Sequence, residues 1–334
     1  MHLALLRLSA LGDVLRVLPA WMNLREAFPE ARIQAVIEDR HAHLLAPFPG
    51  FEPVVVRRRD LSNPLSAWRE AGRVATALEG AEASLDFHGI LKSALIPWRA
   101  GIRERWGDGV TKEGAHRLQT AGPGFRHQDR YRQALDLAEA FGRSRGLEGL
   151  GRFRPVLREA PLPDPGPIWE ADGRPRLVLV PGASRAGRIK RWPLAHWLTL
   201  VRALEGRWQM RWSLGPDEAD LRTWLPRESG VPAMPPMGWW ELSAAVRQAD
   251  RVLTPDTGLL HLAVLCGVPV TALYGPSDPV VSGLPPGTGE VLRLDLPCAP
   301  CRERACQRRQ CMEELRPQQV LEALSPDPAR PSRR

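Results

Sequence analysis

Four strand-to-helix turns carry residues suited to chemistry on an anionic, hydroxyl-rich ligand. In the second half, Thr254-Pro255-Asp256-Thr257-Gly258 ends a strand and opens a helix at a glycine, with His261 one turn further in. At such a start the amides of Thr257, Gly258 and Leu259 have no intrahelical acceptor, which makes an anion site. Asp256 beside them would repel a phosphate and suits sugar hydroxyls instead. His261 either donates to a phosphate or satisfies itself in the core. Upstream, Pro181-Gly182 follows a strand and Lys190-Arg191-Trp192-Pro193 precedes a helix. Lys190 there offers a compact cation to a diphosphate. Gly215-Pro216-Asp217-Glu218 closes a further strand and presents Glu218 to a vicinal diol such as a ribose. In the first half, Ser9-Ala10-Leu11-Gly12-Asp13 follows the opening strand. Gly12 permits a tight turn and close approach of a substrate. Asp13 either complements a helix dipole or faces that substrate.

Alternating strands and helices must hold these turns. Leu3–Leu8 reads as a strand, and helical spacing starts at Asp13 and runs to Pro29. Strands follow at Ile33–Ile37, Pro53–Val56 and Ala83–Phe87, with helical patterning at Ala67–Leu78 and from Ile90. A second series begins with strand Leu177–Val180, helix Leu194–Glu205, strand Met210–Leu214 and helix Glu218–Leu225. It continues with helix Trp240–Gln248, strand Arg251–Leu253, helix Gly258–Cys266 and strand Val268–Tyr274. Such alternation implies parallel sheets covered on both faces, that is, an α/β fold of two doubly wound domains. The expected division is 1–160, a Pro-rich linker at 161–176, 177–324, and a disordered Pro/Arg-rich tail at 325–334. A ligand cleft is expected where the carboxyl ends of the two sheets meet.

The chain has 334 residues, 43% hydrophobic and 25% charged, which excludes global disorder and fibrous classes. Net charge is +8, which favours an anionic partner. Of the 46 basic residues only Lys92, Lys112 and Lys190 are lysines. Each lysine is therefore informative, because arginine is the default wherever only charge is wanted. No dense basic run interleaved with aromatics argues for nucleic acid; Arg57-Arg58-Arg59 is the longest arginine run. No stretch reaches the roughly 18 apolar residues of a spanning helix, and the first residues lack an export signal, so a cytoplasmic protein is expected.

Taken together, these stretches resemble glycosyltransferase family 9, the lipopolysaccharide heptosyltransferases. The match runs through Ser9…Gly12-Asp13-Val14, Leu18-Pro19-Ala20, Asp86-Phe87-His88-Gly89 and Lys92-Ser93-Ala94. It continues through Pro181-Gly182, Lys190–Pro193, His196-Trp197, Gly215…Glu218, Asp256-Thr257-Gly258…His261 and Tyr274-Gly275-Pro276…Asp278-Pro279. The amino-terminal part looks most like the type I branch of that family. The resemblance implies a GT-B fold with an ADP-heptose donor held by the second domain and a Kdo-lipid A or heptosylated inner-core acceptor at the first. It implies inversion at the anomeric carbon without a metal, with Asp13 as the base. Lys190, Glu218, Met237, Asp256, Thr257, Gly258 and His261 would bind the donor, Met237 lying against the adenine. Ser9, Gly12, Arg57, Arg58, His88 and Lys92 would bind the acceptor; the family often carries glutamine where His88 stands. The site of action would be the cytoplasmic face of the inner membrane, held peripherally. A GT-B epimerase of nucleotide sugars, or a family 9 transferase with another donor, is the alternative. Cys298, Cys301, Cys306 and Cys311 resemble a segment of the type II branch, and their spacing is compatible with structural zinc or iron–sulfur. Cys266 falls in an apolar helical stripe and reads as core.

Overall fold

The structure is a computed structural model and describes residues 1–107, 112–124, 127–183, 185–301, 303 and 305–324. The expected tail, 325–334, lies outside the described residues. The chain divides into two compact units, Met1–Val156 and Leu157–Arg334.

The first unit holds strands β1 (His2–Leu6), β2 (Arg32–Glu38), β3 (Phe51–Val56), β4 (Ala83–Asp86) and β5 (Glu104–Gly107). Its helices are α1 (Leu11–Ala27), α2 (Pro64–Ala77), α3 (Leu91–Arg99) and α4 (Arg130–Arg143). All strands are parallel in the order β3-β2-β1-β4-β5, so the chain reverses its direction of travel between β1 and β4. Alternation along the strands decides which helices cover which face. Ala4, Leu6, Val36, Val54 and Val56 pack with Ala71 and Val74 of α2, with Leu78 just after it, and with Ile96 of α3. The intervening Leu3, Leu5, Ile33 and Ile37 are equally buried and turn to the other face, where α1 pairs with α4. Helix α1 begins two residues before the expected Asp13, because the Asp13 and Val14 amides already bond to the Ala10 carbonyl. Gly12 is therefore helical, and the tight turn expected of it lies just upstream.

The second unit holds β6 (Arg176–Leu179), β7 (Gln209–Trp212), β8 (Arg251–Pro255), β9 (Val270–Leu273) and β10 (Gly289–Leu292). Around them lie α5 (Leu194–Leu204), α6 (Leu221–Ser229), α7 (Trp239–Arg247), α8 (Gly258–Leu265), α9 (Pro279–Ser282), α10 (Gln310–Glu313) and α11 (Pro317–Leu324). The order β10-β9-β8-β6-β7 reverses between β6 and β8. Three buried tryptophans stack edge to face in its core, Trp192–Trp197 at 5.2 Å and Trp197–Trp212 at 5.7 Å. Each such pair adds about 0.5–1.5 kcal/mol beyond the area it buries. Met312, Val320 and Leu324 of the last two helices, with Leu315 between them, complete that core. The helix expected at Glu218–Leu225 starts three residues later: Pro216–Glu218 forms a 3-10 turn and α6 follows.

The stretch 161–176, read above as a linker, lies against the second unit. The Leu157 amide donates to the Leu265 carbonyl at 2.8 Å. Arg247 holds the Ala160 carbonyl, Arg211 the Ile168 carbonyl, and Gln209 bonds Glu170 in both directions. Prolines keep this segment out of helix and sheet, yet its carbonyls find side-chain donors.

Candidate functional site

Each unit carries a polar cluster at the carboxyl ends of its strands, at the point where strand order reverses. That is where open α/β sheets bind ligands. In the first unit the cluster surrounds a pocket of about 170 Å³ lined by Arg7, Asp13, Arg16, His88, Lys112 and Arg130, among others. Asp13 stands in the first turn of α1. Its Oδ1 receives Arg16 Nη1 at 2.5 Å and Arg130 Nη1 at 2.6 Å, and its Oδ2 lies 2.8 Å from Arg7 Nη2. Burial alone would raise its pKa, but the three guanidinium charges outweigh it and hold the carboxyl well below the usual carboxylate range. Asp13 is therefore a firmly ionised carboxylate.

His88 follows β4 and accepts the Leu8 amide on Nδ1 at 3.3 Å. Burial, then the charge of Arg7, lowers its pKa to about 3, so the ring is neutral and carries its proton on Nε2. The turn that places it is tied by Asp86. Its carboxylate accepts the His88 and Gly89 amides and the Ser93 hydroxyl, the last at 2.9 Å. Gly89 at φ +70° is the residue type this turn demands. Ser9 lies in the β1–α1 loop, half-buried. Arg57, Arg58 and Lys92 do not line the Asp13 pocket. The Arg57 amide donates to Glu70, Arg58 sits 3.6 Å from Glu38, and Lys92 Nζ donates to the Leu61 carbonyl at 3.2 Å. Arg57 and Arg58 follow the end of β3, and Lys92 stands in the first turn of α3.

In the second unit Lys190 Nζ lies 2.7 Å from Asp256 Oδ2 and also donates to the Asp256 carbonyl at 3.3 Å. Burial would raise the Asp256 pKa, but Lys190 and His261, with a hydrogen bond from Ser277, bring it below the ordinary value. An ammonium has three donors, so these contacts leave one N–H of Lys190 for a ligand. Thr257 caps α8 with extended backbone and makes no side-chain bond to the first-turn amides, which leaves them pointing out of the helix start. His261 is 1% exposed and sits in the core one turn along. Glu218 is buried too. Its Oε1 takes Arg191 Nη2 at 2.6 Å and its Oε2 takes the Gly215 amide at 3.1 Å. Burial raises its pKa and Arg191 opposes the rise. A Cβ on Gly182 would sit 2.3 Å from that carboxyl carbon, so the glycine is what admits Glu218. Met237 is half-buried in the loop before α7.

Sequence reasoning gave Arg7, Arg16, Arg130, Lys112 and Arg191 no individual role. Arginines were invisible by type in a chain this rich in them. A signal for Arg130 existed: Asp129 caps α4, accepting the Tyr131 and Arg132 amides, and Tyr131, Ala134, Leu135, Ala138 and Phe141 recur at helical spacing. Among the described residues no group of three or more His, Cys, Asp or Glu side chains is placed to hold a metal ion. Cys298 and Cys301 are exposed, Cys306 is half-buried and Cys311 buried, all as free thiols. Burial first, then the neighbouring thiols, pushes Cys311 up. Cys266 is buried in the core, as expected. No helix among the described residues is long and apolar enough to cross a membrane.

Two doubly wound α/β units, each with a polar cluster at its switch point, define the GT-B class. Residues 72–312 match the family model of glycosyltransferase family 9 (heptosyltransferase), and the chain belongs to that family; it is a glycosyltransferase. It is 29% identical over 336 residues to lipopolysaccharide heptosyltransferase 1 of Pseudomonas aeruginosa, covering 92% of this chain and 87% of the relative. The corresponding protein of Escherichia coli is 26% identical over 347 residues, covering 97% and 99%. Among solved structures, E. coli heptosyltransferase WaaC with ADP superposes with a TM-score of 0.71 at 21% identity, over 96% of this chain and 98% of that one.

Proposed function

We propose that this glycosyltransferase moves heptose from ADP-heptose to the Kdo or heptose inner core of a lipid A-linked acceptor. It would do so with inversion, peripherally at the cytoplasmic face of the inner membrane. The observation that carries this reading is the ionised Asp13 in a pocket whose other charged lining residues, Arg7, Arg16, Lys112 and Arg130, are all cations, in a chain of the heptosyltransferase family. The acceptor hydroxyl attacks the anomeric carbon from the face opposite the phosphate. The C–O bond to ADP breaks, and the hydroxyl proton passes to Asp13. A carboxylate with a lowered pKa is a weak base, so the proton moves late, when the attacking oxygen has become strongly acidic. Arg7, Arg16, Arg130 and Lys112 suit an acceptor that bears its own negative charge. Arg57, Arg58 and Lys92 meet the more distant anionic part of that acceptor, and Ser9, Gly12 and His88 its sugar.

On the donor side, Lys190 and the Thr257–Leu259 amides stabilise charge growing on the departing diphosphate. Asp256 accepts heptose hydroxyls, Glu218 the ribose, Met237 packs on adenine, and His261 braces the phosphate region through Asp256. Transfer needs no cofactor in this scheme. The test is a donor panel of ADP-heptose, ADP-glucose, UDP-N-acetylglucosamine and GDP-mannose, each with and without Kdo-lipid A and with and without a chelator. Acceptor-dependent release of ADP from ADP-heptose, unchanged by the chelator, is the expected result. Release from another donor alone would replace the donor, and conversion of a nucleotide sugar without acceptor would make the chain an epimerase.

A further inference from the structure

Among the described residues, four of the six large apolar side chains left exposed belong to α2 and α3: Leu65 at 60%, Trp68 at 46%, Leu91 at 41% and Trp98 at 46%. Neither helix needs them inward. Helix α2 buries Ala71, Val74 and Ala75, and α3 buries Ala94 and Ile96. The two helices lie side by side, since Arg99 of α3 donates to the Trp68 carbonyl and its guanidinium lies 3.8 Å over the Trp68 ring. At the other end Lys92 reaches Leu61, just before α2. Leu65 and Trp68 are one turn apart, and Leu91 and Trp98 two turns, so each pair shares a helix face. They form a strip roughly 13 Å long, the length of a nine-residue helix.

The charge around the strip is one-sided. Residues 57–73 and 90–103 hold eight basic side chains and two acids, Asp60 and Glu70. Asp60 lies 3.6 Å from Arg59, and Glu70 is buried against Arg73 at 2.5 Å. Arg57, Arg58, Arg59, Arg69 and Lys92 are exposed. Tryptophan beside leucine within a rim of cations is the composition that settles at a headgroup boundary, the indoles at interfacial depth and the cations on anionic lipid.

We infer that the outer face of α2 and α3 docks the chain on a bilayer bearing anionic headgroups. The inference extends the lipid-linked acceptor proposed above. The face adjoins the Asp13 pocket through the β4–α3 turn, which holds His88 and Ile90 on the pocket wall, so a sugar projecting from the bilayer has a short path to it. No helix needs to insert; apolar tips enter the boundary while the backbone stays hydrogen-bonded within its helices.

The test is co-sedimentation of the full chain with vesicles of equal parts phosphatidylethanolamine and phosphatidylglycerol, against vesicles of phosphatidylcholine alone. Binding should favour the anionic vesicles and fall with salt. Arg59→Ala with Arg69→Ala should weaken partitioning about twenty-five-fold, at about fivefold per charge lost near the surface. Leu65→Ser with Trp68→Ser should release the chain from both vesicle types. Both variants should keep wild-type transfer to an acyl-free soluble acceptor, which shows that they fold. Equal binding to the two vesicle types, or an apolar variant that still sediments like wild type, would overturn the proposal. So would light scattering that shows a dimer abolished by Leu65→Ser with Trp68→Ser, since the occupant would then be a second copy. Failure of transfer with vesicle binding intact would refute the proposed reaction and support the docking face.

Discussion

Asp13→Ala should cost stability as well as activity, and the two losses can be separated. The substitution removes the one carboxylate shared by three guanidinium groups, at 2.5, 2.6 and 2.8 Å. Arg7 and Arg16 are only 11% and 7% exposed, so water does little to replace it. Stranding buried charge by removing its partner costs about 3–5 kcal/mol. Asp13 keeps some exposure and Arg130 is more than a third exposed, which places the cost near the lower bound, about 3 kcal/mol. For a unit of this size, about 2–4 °C per kcal/mol gives a fall of roughly 6–12 °C in its calorimetric transition.

The pH dependence has a definite sign. A carboxyl whose folded pKa is depressed stabilises fully above its unfolded value, about 3.9, and loses that contribution as pH falls through the folded value. The gap between wild type and Asp13→Ala should thus stay constant from pH 7 to about pH 4 and close only below it. ADP affinity by calorimetry should be unchanged, since the proposed donor residues lie in the other unit. Transfer should fall by about 10²–10⁴-fold, the contribution of a general base. A transition temperature equal to wild type would refute the three-arginine clamp. Turnover within about tenfold of wild type would refute the base.

Lys190→Met should weaken ADP binding about tenfold to a hundredfold, the worth of a charge-assisted hydrogen bond of about 1.5–3 kcal/mol, read by titration calorimetry. Lys190→Arg should restore only part of it, because a planar fork does not reproduce the ammonium's contacts with Asp256. His88 has a depressed pKa of about 3 against 6.5 unfolded, so its neutral form stabilises fully above pH 6.5 and progressively less below. Between pH 6.5 and 5 wild type should lose about 2 kcal/mol that His88→Gln keeps, measured by denaturant unfolding at each pH. Adding chelator should leave transfer unchanged in a direct rate assay.

Much of the fold was legible because its strands are short apolar runs, as in β1 and β8, and its helices carry apolar residues at helical spacing, on one stripe in α2 and all round in the buried α8. Strand β5, Glu104–Gly107, escaped notice because an edge strand of Glu-Arg-Trp-Gly has no apolar run to betray it. The turns at Asp13 and at Asp256–Gly258 were legible because a strand end followed by a helix start is a local pattern. The pairing that gives Asp13 its character was not, since Arg130 lies 117 positions away and is one arginine among many. Lysines proved better markers: Lys190 meets Asp256, and Lys112 lines the Asp13 pocket. Arg57, Arg58 and Lys92 were grouped with the acceptor by resemblance. Their place beside exposed Leu65 and Trp68 depends on how α2 packs against α3, which no local pattern encodes.

The most direct test of the account is mass spectrometry of Kdo-lipid A after incubation with the purified chain and ADP-heptose. A gain of one heptosyl residue, matched by released ADP, is the predicted result. An acceptor of unchanged mass, with ADP-heptose intact and the same outcome on a heptosylated acceptor, would contradict it.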